Sequence, residues 1–216
     1  MNVVPKKAFE IRQIAEEFLL KFGCEDNAPV DVDELAQYDL GIDIQSRAGL
    51  HADKGIEAAI SHDLKTIFIE NSLFGDEKRW RSAIAHEIAH VILHAEFIGG
   101  LPCDGDQKLV EAIVSIPGAE MDIVEKEAQI FAETILVPEA SLKRIHGEQL
   151  ELLAKMERRI DQLSDKSKES IAGKIADVFE VGTGTVIRRL QVLELEGWQP
   201  EPDATHLLKG FRHAEP

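Results

Sequence analysis

Ser82-Ala-Ile-Ala-His-Glu-Ile-Ala-His-Val-Ile-Leu-His94 is the stretch that decides how the rest of the chain is read. Within it, His86-Glu87-Ile88-Ala89-His90 has the H-E-x-x-H spacing. Residues i and i+4 of a helix share a face, so both imidazoles can reach one metal ion while Glu87 projects beside them. Zinc needs neutral nitrogen ligands and an open position for water, and a carboxylate beside it can accept that water's proton. The surroundings are helical. Asp76 is placed to cap, and Trp80, Ile84, Ile88, Val91, Ile92 and Ala95 repeat at helical spacing. Two histidines on a solvated surface helix would not have such apolar neighbours. The spacing predicts a helix from about 77 to 97, broken by Gly99-Gly100-Leu101-Pro102.

Upstream, residues 5–22 carry an amphipathic pattern (Phe9, Ile11, Ile14, Ala15, Phe18, Leu19) that Gly23 stops. Asp31-Val-Asp-Glu34 has the form of a capping box opening a short helix to about Tyr38, and Gly41 closes that unit. Ile42 to Gln45 alternates as a strand does. Ile56–Ser61 and Lys65–Glu70 read as a hairpin turning at Ser61-His62-Asp63-Leu64. Downstream, helices are expected over Asp106–Ile116 and Met121–Val137, the second stopping before Pro138. The chain is then helical in pieces to about Gly182, and Thr183 opens a last helix. Residues 199–216 hold three of the eight prolines and no periodicity, and read as a tail.

The 216 residues suit one domain, or one domain with a helical appendage. No run of about 18 apolar residues is present, so no membrane-spanning helix is expected. Met1–Lys7 lacks the apolar region of a signal peptide. Only Cys24 and Cys103 are available, which argues against a disulfide framework. These readings together favour a cytoplasmic protein. A net charge of −16 opposes general binding to nucleic acid. The charge is uneven: Lys143 to Arg189 holds ten basic and eight acidic residues, against 14 and 32 elsewhere. Any basic surface belongs to that segment.

A catalytic zinc usually has three protein ligands. His94 lies about 12 Å along the axis from His86 and cannot share its ion unless the helix breaks. Glu96 stands where metzincins place a third histidine, but Leu93 replaces the glycine that turns their chain back. The third ligand therefore belongs to another helix. On the 121–137 helix, Val124, Ala128, Phe131, Ala132 and Ile135 form one apolar stripe. Glu125 flanks it on one side and Glu127 on the other, and the helical wheel does not choose between them.

Several stretches together resemble the ImmA/IrrE family of metallopeptidases, the anti-repressor type found with phage-like repressors. They are Pro29-Val-Asp-Val-Asp-Glu-Leu-Ala36 with Leu40-Gly-Ile42, then Ser82 to His94, Glu125-Lys-Glu-Ala-Gln-Ile-Phe-Ala132 and Leu136-Val-Pro138. Their order and spacing cover about residues 8–140. The resemblance implies metal ligands His86, His90 and Glu127, with Glu87 as catalytic base. Gln129 departs from the Asn or Asp more usual there, which bears on a hydrogen bond behind the ligands. It further implies an α+β fold: a mostly helical zincin-like metallopeptidase domain (1–140) with a small antiparallel three-stranded sheet. A helical subdomain (141–198) and the tail (199–216) follow. Lys65–Glu70 would be the edge strand above the cleft, able to pair with an extended substrate. The activity implied is that of a zinc-dependent endopeptidase acting on a helix-turn-helix repressor. His94, common in the family, reads as structural or as support for a ligand. Tyr38 and His62 give no obvious oxyanion partner, and Cys103 reads as an ordinary free cysteine.

Ile175 to Leu190 resembles a helix-turn-helix, with Ala176 inside the first helix, Gly182 at the turn, and Val186 and Leu190 in the second. Arg188 and Arg189 could then contact phosphates. The alternative function is accordingly a DNA- or protein-binding regulator whose metal site is vestigial or structural.

Overall fold

The computed structural model describes residues 4–50, 56–101 and 118–198. Cys103, the expected helix over Asp106–Ile116 and the 199–216 tail lie outside the described residues. Helix α1 (Ala8–Phe22) buries Ile11, Ala15, Phe18 and Leu19 and ends at Gly23, whose φ of 67° is left-handed. There a glycine avoids the Cβ penalty. Asp31 Oδ1 accepts the Glu34 N–H at 2.9 Å and starts α2 (Val32–Glu34), which widens into a π-turn over Leu35–Asp39.

Three strands follow: β1 (Asp43–Arg47), β2 (Ala58–Ile60) and β3 (Thr66–Glu70). The hairpin is present, with Ile60 opposite Ile67. The sheet is not wholly antiparallel, however. Its order is β1-β3-β2, and β1 runs parallel to β3, pairing Ile44 with Ile67. Nor is Lys65–Glu70 an edge strand. β3 carries Ile67 and Ile69, both fully buried, whereas β1 buries nothing completely. The most apolar strand takes the centre, where both of its sides are covered. β2 lies on the far side of β3, antiparallel to it, and β1 runs parallel to β3 on the other.

Asp76 caps α3 (Glu77–Leu93) by accepting the Arg79 N–H at 3.2 Å. Trp80 Nε1 donates to Asp33 (3.0 Å) and Arg81 donates to the Val30 carbonyl (2.7 Å), fixing the start of α3 to α2 and the loop before it. Ala83, Ile84, Ala85, Ile88 and Ala89 are all buried, so α3 is covered on more than one face. It lies between the sheet, chiefly β2, and α5 (Gly118–Leu136), which in turn packs on α1. Ala128 and Ala132 allow close approach, and Phe131 and Ile135 fill the centre without exposure. Fully burying a phenylalanine contributes about 3 kcal/mol.

Helices α6 (Glu139–Lys155), α7 (Asp165–Phe179) and α8 (Thr183–Val192) complete the described chain. Helices α7 and α8 pack as the expected helix pair around Ala176, Phe179, Val186 and Leu190. The left-handed residue of their turn is Glu180 (φ 55°), while Gly182 is extended (φ −68°). One apolar cluster runs from Ile11 to Trp198, joining these helices to α1, α3 and α5. The expected phosphate contacts are otherwise engaged. Arg189 is 2% exposed, donating to the Val137 carbonyl (3.1 Å) and to Glu16 (3.3 Å). Arg188 donates to Glu133 on α5 at 2.6 Å. No helix among the described residues is long and apolar enough to cross a membrane.

Candidate metal centre

The i,i+4 spacing on α3 brings His86 Nε2 within 3.1 Å of His90 Nε2. From α5, Glu125 completes the group. Its Oε2 lies 3.0 Å from His86 Nε2 and its Oε1 3.7 Å from His90 Nε2. Four ligands arranged tetrahedrally about zinc at its usual bond lengths stand about 3.3 Å from one another, close to the 3.0–3.7 Å separations of these donor atoms. Glu87 shares the neighbourhood: ligand atoms of His86, Glu87 and His90 fall within 4.8 Å of one another.

Glu127, to which the resemblance gave the third position, is turned the other way. Its Oε2 accepts from His94 Nε2 (3.2 Å), and its Oε1 accepts the Lys6 backbone N–H (2.6 Å). The two glutamates differ sharply in exposure, 46% for the Glu125 side chain against 4% for that of Glu127. They are about 200° apart around α5. Which flank meets the imidazoles depends on how α5 crosses α3, and the periodicity does not carry that angle.

His94 is the residue at which α3 breaks (φ −126°, ψ 16°), and a second short helix, α4 (Ala95–Gly99), begins behind it. Despite that break it does not join His86. Its Nδ1 lies 3.2 Å from His90 Nδ1, on the side of the His90 ring away from the His86 nitrogen. Glu96 is exposed on α4. Gln129 donates to Glu133 (2.6 Å) within its own helix. Tyr38 is exposed on the π-turn, and His62 sits in the β2–β3 turn.

The electrostatics separate these groups by role. Burial pushes the Glu87 carboxyl up to about 7, even though His86 nearby and a hydrogen bond from the Ile60 backbone N–H of β2 pull the other way. Burial, reinforced by His86, pushes His90 down to about 3, so its ring is neutral and able to ligate. Burial opposes charge on Glu125 too, but the hydrogen bond from His86 and the neighbouring imidazoles overcome it and hold Glu125 at about 2. Burial likewise opposes charge on His86, yet the bond to Glu125 and the nearness of Glu87 raise its pKa above the usual value.

The family model described as the IrrE N-terminal-like domain, Peptidase M78, matches residues 38–191. The chain belongs to this family. The matched span of the IrrE-like domain runs through the α3 motif, the α5 carboxylates and the α7–α8 pair. A solved structure described as a Mycobacterium tuberculosis transcriptional regulator is similar in fold, at 16% identity and a TM-score of 0.51. The match covers 84% of this chain and 55% of that one, so this chain spans about half its length. No protein of curated function matches.

Proposed function

We propose that this IrrE-like chain is a zinc-dependent endopeptidase in which His86, His90 and Glu125 hold the metal and Glu87 is the catalytic base. The observation that carries the reading is the convergence of two Nε2 atoms and one carboxylate at 3.0–3.7 Å. Zinc held there would supply Lewis acidity toward a peptide carbonyl and toward water. Glu87, poised at about 7, is able to take a proton from water near neutral pH and return it to the departing amine. The exposed flank at Glu125 provides the open side a substrate needs. β2, the edge strand nearest α3, replaces β3 as the strand along which an extended peptide would add.

The substrate class, a helix-turn-helix repressor whose cleavage derepresses genes, rests on the family resemblance. The burial of Arg189 and the pairing of the exposed Arg188 with Glu133 weigh against direct DNA binding by α8. The test is coexpression with a neighbouring repressor. Wild-type chain should cleave it, and Glu87→Gln should slow cleavage about 10²- to 10⁴-fold while still binding zinc. Cleavage at the wild-type rate in Glu87→Gln would remove the proposed base.

A further inference from the structure

Behind the ligand His90, the described chain holds polar groups that the ligand set does not use: buried His94 and Glu127, the latter meeting Lys6. His94 is 3% exposed and Glu127 3%, and no solvent-facing role accounts for either. We propose that Glu127 and His94 are positioning residues that hold His90 in the tautomer able to bind metal through Nε2. The inference rests on the ligand set proposed above.

Hydrogen-bond valence sets the proton positions along this chain. A carboxylate only accepts. Glu127 Oε1 is taken by the Lys6 backbone N–H at 2.6 Å, and the Lys6 ammonium lies 3.4 Å from Oε2. The contact between Glu127 Oε2 and His94 Nε2 at 3.2 Å therefore requires the proton on His94 Nε2. A neutral imidazole with a proton on Nε2 has a bare Nδ1. His94 Nδ1 must then accept, and His90 Nδ1, which faces it at 3.2 Å, must donate. A neutral His90 carrying its proton on Nδ1 has a lone pair on Nε2, the atom that faces His86 and Glu125. One carboxylate thus fixes the proton position on two rings in series. The break in α3 at His94 gives this residue the backbone freedom to present Nδ1 to His90 and Nε2 to α5. Partners standing behind a ligating histidine in this way tune its orientation and basicity.

Ring-nitrogen NMR on the full chain, with and without added zinc, reads the tautomers directly. The expected result is an Nδ1–H tautomer for His90 and an Nε2–H tautomer for His94. An Nε2–H tautomer at His90, or an Nδ1–H tautomer at His94, would overturn the proposal without any variant having to fold. In Glu127→Gln, His90 and His94 should become tautomer mixtures and zinc should bind about 10- to 100-fold more weakly. The visible spectrum of the cobalt-substituted variant should keep its wild-type coordination number. Wild-type zinc affinity in Glu127→Gln, or loss of a ligand in its cobalt spectrum, would each refute the positioning role, the second by making Glu127 a ligand. None of these readouts uses cleavage, so a zinc-binding chain that cleaves nothing removes the endopeptidase reading alone.

Discussion

Glu125 and Glu127 stand two residues apart on α5 and meet opposite fates. Glu125 reaches over the open side of the site to the Nε2 atoms of His86 and His90. Glu127 is enclosed, facing His94 and the Lys6 backbone. A helix that crosses another offers two flanks, one toward solvent and one toward the core. A reactive ion needs the first, because substrate and water must arrive. A group that only orients a ligand belongs on the second, where water cannot compete for its hydrogen bonds.

The contrast can be broken at its base by removing the contact that holds both flanks in place. Phe131→Ala should destabilise the fold by about 3–5 kcal/mol, and thermal or urea unfolding would read this. Zinc retention at a given denaturant concentration should fall with it. A loss under about 1 kcal/mol would mean that α5 is held elsewhere. Glu125→Ala cuts only the open flank. It should weaken zinc binding more than about 100-fold, or about 2.7 kcal/mol, with the melting temperature of the metal-stripped protein little changed. An unchanged dissociation constant would exclude Glu125 from the ligand set.

A proton sharpens the comparison further. Burial opposes charge on His86, but its bond to Glu125 raises it above the usual histidine value, so it holds to higher pH than an ordinary histidine a proton that zinc would have to displace. Affinity should therefore climb with pH, by up to about tenfold per unit, until His86 has titrated, and then level off. Calorimetry in buffers of different ionisation enthalpy would count the released proton. Glu125→Ala should move this dependence to lower pH, whereas Glu127→Gln should leave it in place. A pH-independent affinity across the neutral range would contradict the His86–Glu125 pairing. The smallest effect is expected far from both carboxylates. Asp76→Ala removes the α3 cap and should cost about 1 kcal/mol of stability while leaving the zinc affinity of the folded protein unchanged.

Much of this was legible in residues that act locally. His86 and His90 follow from 3.6-residue periodicity, Gly23 from its left-handed stop, and the β2–β3 hairpin from alternation about Ser61–Leu64. What local pattern cannot carry is the relation between elements. β3 lies at the centre because its neighbours are less apolar, a comparison among strands rather than a property of one. Glu125 and Glu127 are equivalent on a helical wheel until the crossing of α5 over α3 is known. Arg188 and Arg189 read as free cations until α8 is seen against α5 and Val137. The His94 relay was hidden for the same reason, since its terminal carboxylate is 33 residues away.

Arg189 has a mechanical consequence. Its guanidinium gathers the Val137 carbonyl after α5 and Glu16 from α1, so a single side chain near the end of the described chain works as a rivet through three segments. Tension applied to α8, by a partner that seizes it or by a protease that pulls on it, is delivered to the helix that carries Glu125. The candidate metal centre and the helix-turn-helix-like pair share one load path.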